Sequence, residues 1–221
     1  MPLKKQKGNM YEFVSHTWSP IRGKCSHDCS YCYMKKWGEQ PPLHIDERDL
    51  ETNLSEGNFI FVGHTIDLFA DDVPADWVEE VLCQLTLYPK NRYLLQSKNP
   101  KRFLDFFGHY PDKVLFGTTI ETNRDIVESK APPVSQRAMA LAELSYKDFE
   151  TMVTIEPIFD FDLDDLVDLI ILANPIWVNI GADSKGHNLP EPSKDKVRCL
   201  VQTLQKRTQV KLKGNLKRLL A

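Results

Sequence analysis

The chain has 221 residues, of which 42% are hydrophobic and 27% are charged, and its formal net charge is −3. These values are typical of a globular domain, and the charge excludes a protein that is basic throughout. No apolar run approaches the roughly 18 residues that span a bilayer. We expect a flexible basic tail at 1–9 and a single domain at 10–221, located in the cytoplasm and without a membrane segment.

Strand-like and helix-like segments alternate along the chain. The predicted strands are 11–17, 59–63, 93–96, 114–120, 152–155, 177–180 and a last short run at 209–212. The predicted helices are 75–87, 100–107, 134–144, 163–173 and 193–206. Strand followed by helix, repeated about six times, predicts an α/β fold with a mainly parallel sheet, too short for a closed eight-unit barrel. The carboxyl ends of the strands are where such folds carry their chemistry.

Three cysteines follow the first predicted strand in a C-x3-C-x2-C run, Cys25, Cys29 and Cys32. Thiolates select iron–sulfur clusters, zinc or copper(I). A [4Fe–4S] cluster usually takes four thiolates, so three would leave one iron open to a small molecule. The alternative is a structural zinc site with His27 or His16 as fourth ligand. A disulfide framework is a poor interpretation, because the chain has five cysteines, an odd number.

The cysteine run, with Tyr31 just before the third cysteine, resembles the cluster motif of the radical S-adenosylmethionine (radical SAM) superfamily. The resemblance implies a partial (β/α)6 TIM-like barrel whose three cysteines hold a [4Fe–4S] cluster. S-adenosylmethionine (SAM) would bind the open iron, with Tyr31 near its adenine. In that superfamily an electron, here from a flavodoxin or ferredoxin type of donor, cleaves SAM to methionine and a 5′-deoxyadenosyl radical. The radical then abstracts hydrogen from the substrate.

The second predicted strand runs into Gly63, Thr65 and Asp67. Gly63 permits a close backbone approach, and Thr65 and Asp67 supply acceptors for SAM. The chain lacks the Gly-Gly-Glu-like element that the superfamily often has here, and it is more similar to spore photoproduct lyase, which uses Ser/Thr and Asp. A polar loop with Asp67 as a helix cap is one alternative. A degenerate fold that binds SAM without cleaving it is another.

The third strand ends at Lys98, which we expect to contact the SAM carboxylate or an anionic substrate. A plain loop at the start of a helix fits Lys98 equally well. After the fourth strand, Thr119, Glu121 and Asn123 offer a hydroxyl, a carboxylate and an amide that suit the ribose hydroxyls of SAM. The alternative there is a polar strand end whose hydrogen bonds are satisfied within the protein.

Two further strand ends offer weaker candidates. Glu156, after the fifth strand, interrupts an apolar context and is predicted to point into the site. After the sixth strand, Gly181 would let the backbone approach the adenine, and Asp183 is a candidate contact to SAM or substrate. Arg137, on the helix at 134–144, is expected at the surface, with the alternative that it reaches the loop after the fourth strand.

Short segments beyond the cysteines resemble a phage- and prophage-associated radical SAM family of unassigned function, itself similar to spore photoproduct lyase. They are 16–20, 67–69, 72–74, 96–100 and 155–157. The resemblance and the basic last sixteen residues make a nucleic acid or a nucleotide the leading substrate. A peptide or a small metabolite is the alternative substrate, and the charge of the basic segment taken alone favours a solvated helix surface. The hypothesis from another class is a non-catalytic zinc- or iron–sulfur-binding module that binds nucleic acid.

Overall fold

The structure is a computed structural model that describes residues 3–125 and 129–221. The strands in chain order are β1 (Lys4–Lys5), β2 (His16–Trp18), β3 (Ile21–Arg22), β4 (His44–Ile45), β5 (Phe59–Val62), β6 (Arg92–Gln96), β7 (Val114–Thr119), β8 (Glu150–Ile155), β9 (Trp177–Ile180) and β10 (Gln209–Leu212). The α-helices are α1 (Glu47–Leu50), α2 (Ala75–Thr86), α3 (Val134–Tyr146), α4 (Leu163–Ala173), α5 (Lys194–Gln205) and α6 (Lys217–Leu220). Short 3-10 helices span Tyr33–Trp37, Pro100–Phe106 and Gly214–Leu216.

Eight strands form one sheet in the order β1-β2-β5-β6-β7-β8-β9-β10, and β3 and β4 form a separate hairpin. Within the described eight-stranded sheet, only β1 is antiparallel to its neighbour and all other pairings are parallel, whereas β3 and β4 pair antiparallel with each other. The described sheet is open because β1 and β10 are its edges. The predicted α/β fold, a partial barrel with a mainly parallel sheet, is confirmed.

The concave face of the sheet is filled by the chain segment 9–14, which precedes β2. The Phe13 ring packs against Phe59 in β5 and Trp177 in β9, with centroid distances of 5.1 and 5.2 Å. Three strands separate β5 from β9 in the sheet. One side chain reaches both strands only because the sheet curves into a partial barrel.

The convex face packs against the helices. Along β6, Tyr93 and Leu95 face the large core beneath the helices, whereas Leu94 faces the inner cluster around Tyr11. This period of two is what a strand buried on both faces requires. None of the helices in the described part of the chain has both the length and the apolar character needed to cross a membrane.

Two boundaries differ from the sequence predictions. The strand predicted at 11–17 begins only at His16, because Tyr11 and Phe13 insert into the barrel instead of pairing in the sheet. The tail predicted at 1–9 includes β1, whose Lys5 pairs with His16, while residues 1 and 2 lie outside the described part. The single-domain organisation and the mobility of the tail stay predictions.

Candidate active site

Residues 25–32, the cysteine loop, lie against the carboxyl edge of the parallel sheet. Cys29 is 7% exposed, and Cys25 and Cys32 are half-buried. All five cysteines are free thiols. The loop packs on this edge through an apolar contact between Tyr31 and Phe159, whose rings meet edge to face at 5.3 Å.

A histidine–carboxylate pair ties the start of the cysteine loop to the segment after β5. His27 Nε2 lies 2.9 Å from Asp67 Oδ2, and both side chains are buried. The same carboxylate accepts the backbone N–H groups of Lys98 at 2.7 Å and Phe69 at 3.0 Å. Burial opposes ionisation, but the hydrogen bond from His27 and its neighbours hold the pKa of Asp67 below its usual range. Asp67 is therefore an anchor for the loop, with its oxygens already engaged.

A second, fully buried carboxylate gathers three more side chains. Glu121 Oε1 accepts the Tyr31 hydroxyl at 2.7 Å and forms an ion pair with Lys98. Its Oε2 accepts Arg137 Nη1 at 2.9 Å. Arg137 also donates to the carbonyl oxygen of Thr119 at 3.0 Å. Glu121 thus joins the cysteine loop, β6, β7 and α3 at one point.

Burial shifts the pKa values of several ionisable groups at this site. Burial and the neighbouring Arg137 guanidinium lower the pKa of Lys98 to about 7. Burial, reinforced by the carboxylate of Asp67, raises the pKa of the Cys25 thiol to about 12. Burial also raises the pKa of Cys32. A protonated thiol is a poor ligand, so ionisation of these thiols is favoured by a compensating positive charge, such as that of a bound metal.

The donor set fits an iron–sulfur cluster. Three soft sulfur ligands come from one loop, largely out of water, and no disulfide competes for them. Within residues 3–125 and 129–221, no three His, Cys, Asp or Glu side chains converge as the ligands of a single metal ion do. A cubane cluster places each thiolate on a different iron, so its ligands stand farther apart. Cys25, Cys29 and Cys32 would hold such a cluster.

A third carboxylate lies farther along the same edge, after β8. Glu156 Oε2 lies 2.6 Å from Lys213 Nζ, and Oε1 accepts the side-chain amides of Asn215 at 2.9 Å and Asn9 at 2.8 Å. A Cβ at Gly181 would meet Glu156 Oε1 at 2.6 Å, so a larger residue there would displace this carboxylate. In this structure Gly181 thus makes room for a carboxylate of the protein itself.

Side chains on the inner face of the sheet lie between Glu156 and the end of β7, which leads to Glu121. The Tyr11 hydroxyl donates to Gln96 Oε1 at 2.9 Å, and Gln96 Nε2 donates to Thr119 Oγ1 at 3.3 Å. The Lys213 ammonium lies 4.5 Å from the centre of the Tyr11 ring. Thr119 therefore faces the barrel interior, while Glu121, two residues later, meets the cysteine loop.

Four further predicted site residues lie in the turns and loops that follow the strands. Asn123 contacts the start of α4 by accepting Asp162 N–H at 2.8 Å. Asp183 orders the following loop by accepting the backbone N–H of Lys185 at 3.0 Å. Gly63 has a φ of +74° and forms a tight turn after β5. Thr65 Oγ1 is buried and has no hydrogen-bond partner among the described residues.

Arg137 is the main residue that sequence reasoning missed. It was expected at the surface, but it is 2% exposed, and the correction follows from its place on α3. Val134, Ala138 and Leu141 form the buried stripe of that helix, and Arg137 lies within the stripe. A lone arginine on an apolar helix face implies a buried anion, here Glu121.

Solved structures of two radical SAM enzymes share this fold. Spore photoproduct lyase complexed with a dinucleoside spore photoproduct is 12% identical with a TM-score of 0.60, over 91% of this chain and 64% of the lyase. A variant of that lyase is 9% identical with a TM-score of 0.68, over 96% and 80% of the two chains. SuiB of Streptococcus suis bound to S-adenosylmethionine is 6% identical with a TM-score of 0.54, over 89% and 49%.

The likeness shows that the chain has the mostly parallel α/β fold of these enzymes. It spans 64% of the length of the dinucleoside-bound lyase. The chain belongs to the family described as "Protein of unknown function (DUF5131)", whose profile matches residues 9–208. No curated protein sequence matches it.

Proposed function

We propose that the protein is a radical SAM enzyme. The observation that carries the proposal is the juxtaposition of the cysteine loop with the buried Lys98–Glu121 pair at the carboxyl edge of a radical SAM fold. With a [4Fe–4S] cluster and SAM bound, such a site supplies a 5′-deoxyadenosyl radical that abstracts hydrogen from a substrate. The protein itself binds and orients the cofactor and the substrate and excludes water from the site.

Lys98 is the proposed partner of the SAM carboxylate. Its ammonium is only 17% exposed and forms an ion pair with Glu121, so an incoming carboxylate meets a cation that is already oriented. Arg137 remains on the other oxygen of Glu121 and compensates its charge when Lys98 turns to the ligand. Glu121 is then free to accept hydrogen bonds from the ligand through Oε1.

Tyr31 closes the site from the cysteine loop. Burial raises the pKa of Tyr31, so its hydroxyl stays protonated and donates to Glu121. With Phe159 and Leu189 it forms an apolar cluster around Cys29. These apolar side chains shield the cysteine sulfurs from water, as an oxygen-sensitive iron–sulfur cluster requires. Thr65, Asp67, Asn123, Glu156, Gly181 and Asp183 stay predictions as SAM contacts.

The proposal is tested by anaerobic reconstitution with iron and sulfide, reduction with dithionite and addition of SAM. We expect 5′-deoxyadenosine from the wild type and from Cys83→Ala, whose thiol is exposed outside the loop. We expect none from Cys29→Ala. A colourless protein with one tightly bound zinc would overturn the proposal and favour the non-catalytic binding module. A cluster that forms without SAM cleavage would point to the degenerate fold.

A nucleic acid or a nucleotide is the proposed substrate class, supported by the dinucleoside bound to the structurally similar lyase. Two cations of the basic C-terminal segment are engaged internally, Lys213 with Glu156 and Arg218 with Glu191. Lys217 is exposed, and its replacement by alanine is expected to weaken binding of single-stranded DNA in a salt-dependent way. Binding that is unchanged, or absent in the wild type, would remove this substrate class.

Three further attributes belong to the proposal. The electron donor is of the flavodoxin or ferredoxin type, the protein acts in the cytoplasm, and its family is associated with phages. An oxygen-sensitive cluster and reduced thiols suit a reducing compartment. All five cysteines are free in the structure, which agrees with such a setting.

A further inference from the structure

A short strap crosses the cysteine loop from the side of α3. It comprises residues 129–131, between β7 and α3. The Lys130 N–H donates to the carbonyl oxygen of His27 at 2.7 Å. The Lys130 ammonium lies 3.2 Å from Asp28 Oδ2. The strap thus holds the peptide that leads directly into Cys29.

Ser129 places a hydroxyl against the ligand sulfur itself. Ser129 Oγ lies 3.0 Å from Cys29 Sγ. Ser129 Oγ also accepts the Ala131 N–H at 3.2 Å. The hydroxyl hydrogen of Ser129 remains available for donation to another acceptor. A thiolate that binds iron carries no proton, so in the cluster-bound protein Ser129 is the donor and Cys29 the acceptor. Cys29 is 7% exposed, and water competes little for this contact.

We propose that Ser129 is a positioning residue that orients the Cys29 thiolate and raises the reduction potential of the cluster. The inference rests on the proposed function. Reduction adds negative charge to the cluster and its sulfur ligands, and a hydrogen-bond donor stabilises that added charge. Loss of the hydroxyl therefore makes the cluster harder to reduce.

The test compares midpoint potentials of reconstituted full-length proteins, measured by redox titration with detection of the reduced cluster by electron paramagnetic resonance. We expect the Ser129→Ala potential to be more negative than that of the wild type. Ser26→Ala is the matched control. Ser26 lies in the cysteine loop, as Cys29 does, but its hydroxyl donates to Asp72 Oδ1 at 2.6 Å. We expect the potential of Ser26→Ala to equal that of the wild type.

A second pair of variants separates the effect of the hydroxyl group from the effect of side-chain shape. Ser129→Thr keeps a hydroxyl, and Ser129→Val has the same shape as the Thr variant with a methyl group in place of that hydroxyl. We expect Thr to match the wild type and Val to match Ala. We also expect Val to lose iron to a chelator roughly 10- to 100-fold faster than Thr. If Ala and Val lose the cluster while Thr retains it, the hydroxyl is again the group responsible.

Three results would overturn the inference, and only the last would also remove the proposed function. Equal potentials in the wild type, Ala and Val variants, with intact clusters, would remove the role of Ser129 and leave the radical SAM assignment standing. A Thr variant that behaves like Val would do the same. A wild-type protein that takes up no cluster would remove the proposed function and this inference with it.

Discussion

Arg137 illustrates how one side chain determines the geometry of the site. Its guanidinium is 2% exposed and donates to Glu121, to the Thr119 carbonyl oxygen and, at 2.6 Å, to the Pro132 carbonyl oxygen. We expect Arg137→Met to lower the free energy of unfolding by about 3 kcal/mol, because it leaves part of a buried negative charge uncompensated. Urea unfolding measures the loss.

The control for Arg137 is Arg124→Ala. Arg124 also binds carboxylates, those of Asp160 and Asp162, but its side chain is 45% exposed. Solvent screens such surface pairs, so we expect a much smaller change. Equal losses in the two variants would contradict the view that burial gives the Arg137 pair its importance.

Lys98 gives the site a pH dependence at the residue scale. Burial and Arg137 lower the pKa of Lys98 to about 7, so its ammonium is present below that pH and is lost above it. A bound carboxylate favours the ammonium. We therefore expect the affinity of the cluster-free protein for SAM to fall as the pH rises above about 7, by up to about tenfold per pH unit. Calorimetric titration measures it.

The matched variant for that experiment is Lys98→Met, which keeps the length of the side chain without its charge. We expect weak and pH-independent binding of SAM. A wild-type affinity that stays level across the same pH range would exclude Lys98 as the partner of the SAM carboxylate.

At the scale of the elements, β8, β9 and β10 are joined by one carboxylate. Gly181, after β9, has no room for a Cβ because Glu156 Oε1 would lie 2.6 Å from it. We expect Gly181→Ala to destabilise the protein by ~1–3 kcal/mol, as overpacking does. The displaced carboxylate would lose its bonds to Lys213 and Asn215. Thermal unfolding reports the loss.

Gly214 is the comparison for Gly181. It is close in sequence to the same cluster, but no atom lies within 4 Å of a Cβ built on it. Gly214→Ala is expected to leave the melting temperature nearly unchanged. Similar effects of the two substitutions would argue against the close approach at Gly181.

The elements were predictable from sequence where the signal is local. The runs Trp177–Ile180 and Gln209–Leu212 were predicted with their observed bounds, and α5 lies within the helix predicted at 193–206. The pairings across the chain were not predictable, because they join residues distant in sequence. His27 meets Asp67 across 40 positions, and Tyr31 meets Glu121 across 90. Only the folded sheet brings such groups together.

For the whole molecule, the inner cluster is the part that the sequence pattern misrepresented. Tyr11 is 6% exposed and donates to Gln96, inside the barrel. We expect Tyr11→Ala to cost roughly 3 kcal/mol of unfolding free energy, since it leaves a cavity against several strands. Tyr146→Ala is the control, because Tyr146 is 87% exposed. A Tyr11 variant as stable as the control would show that the segment is not part of the core.

The insertion of segment 9–14 also has a consequence for folding during synthesis. The segment leaves the ribosome well before Trp177, on which Phe13 packs and which lies more than 160 residues later in the chain. Such contacts give the fold a high contact order, which slows folding. Until β9 has been made, the aromatic side chains of the segment have no complete barrel to enter and are exposed to other chains. The nascent protein therefore needs protection from aggregation at segment 9–14 until β9 has been made.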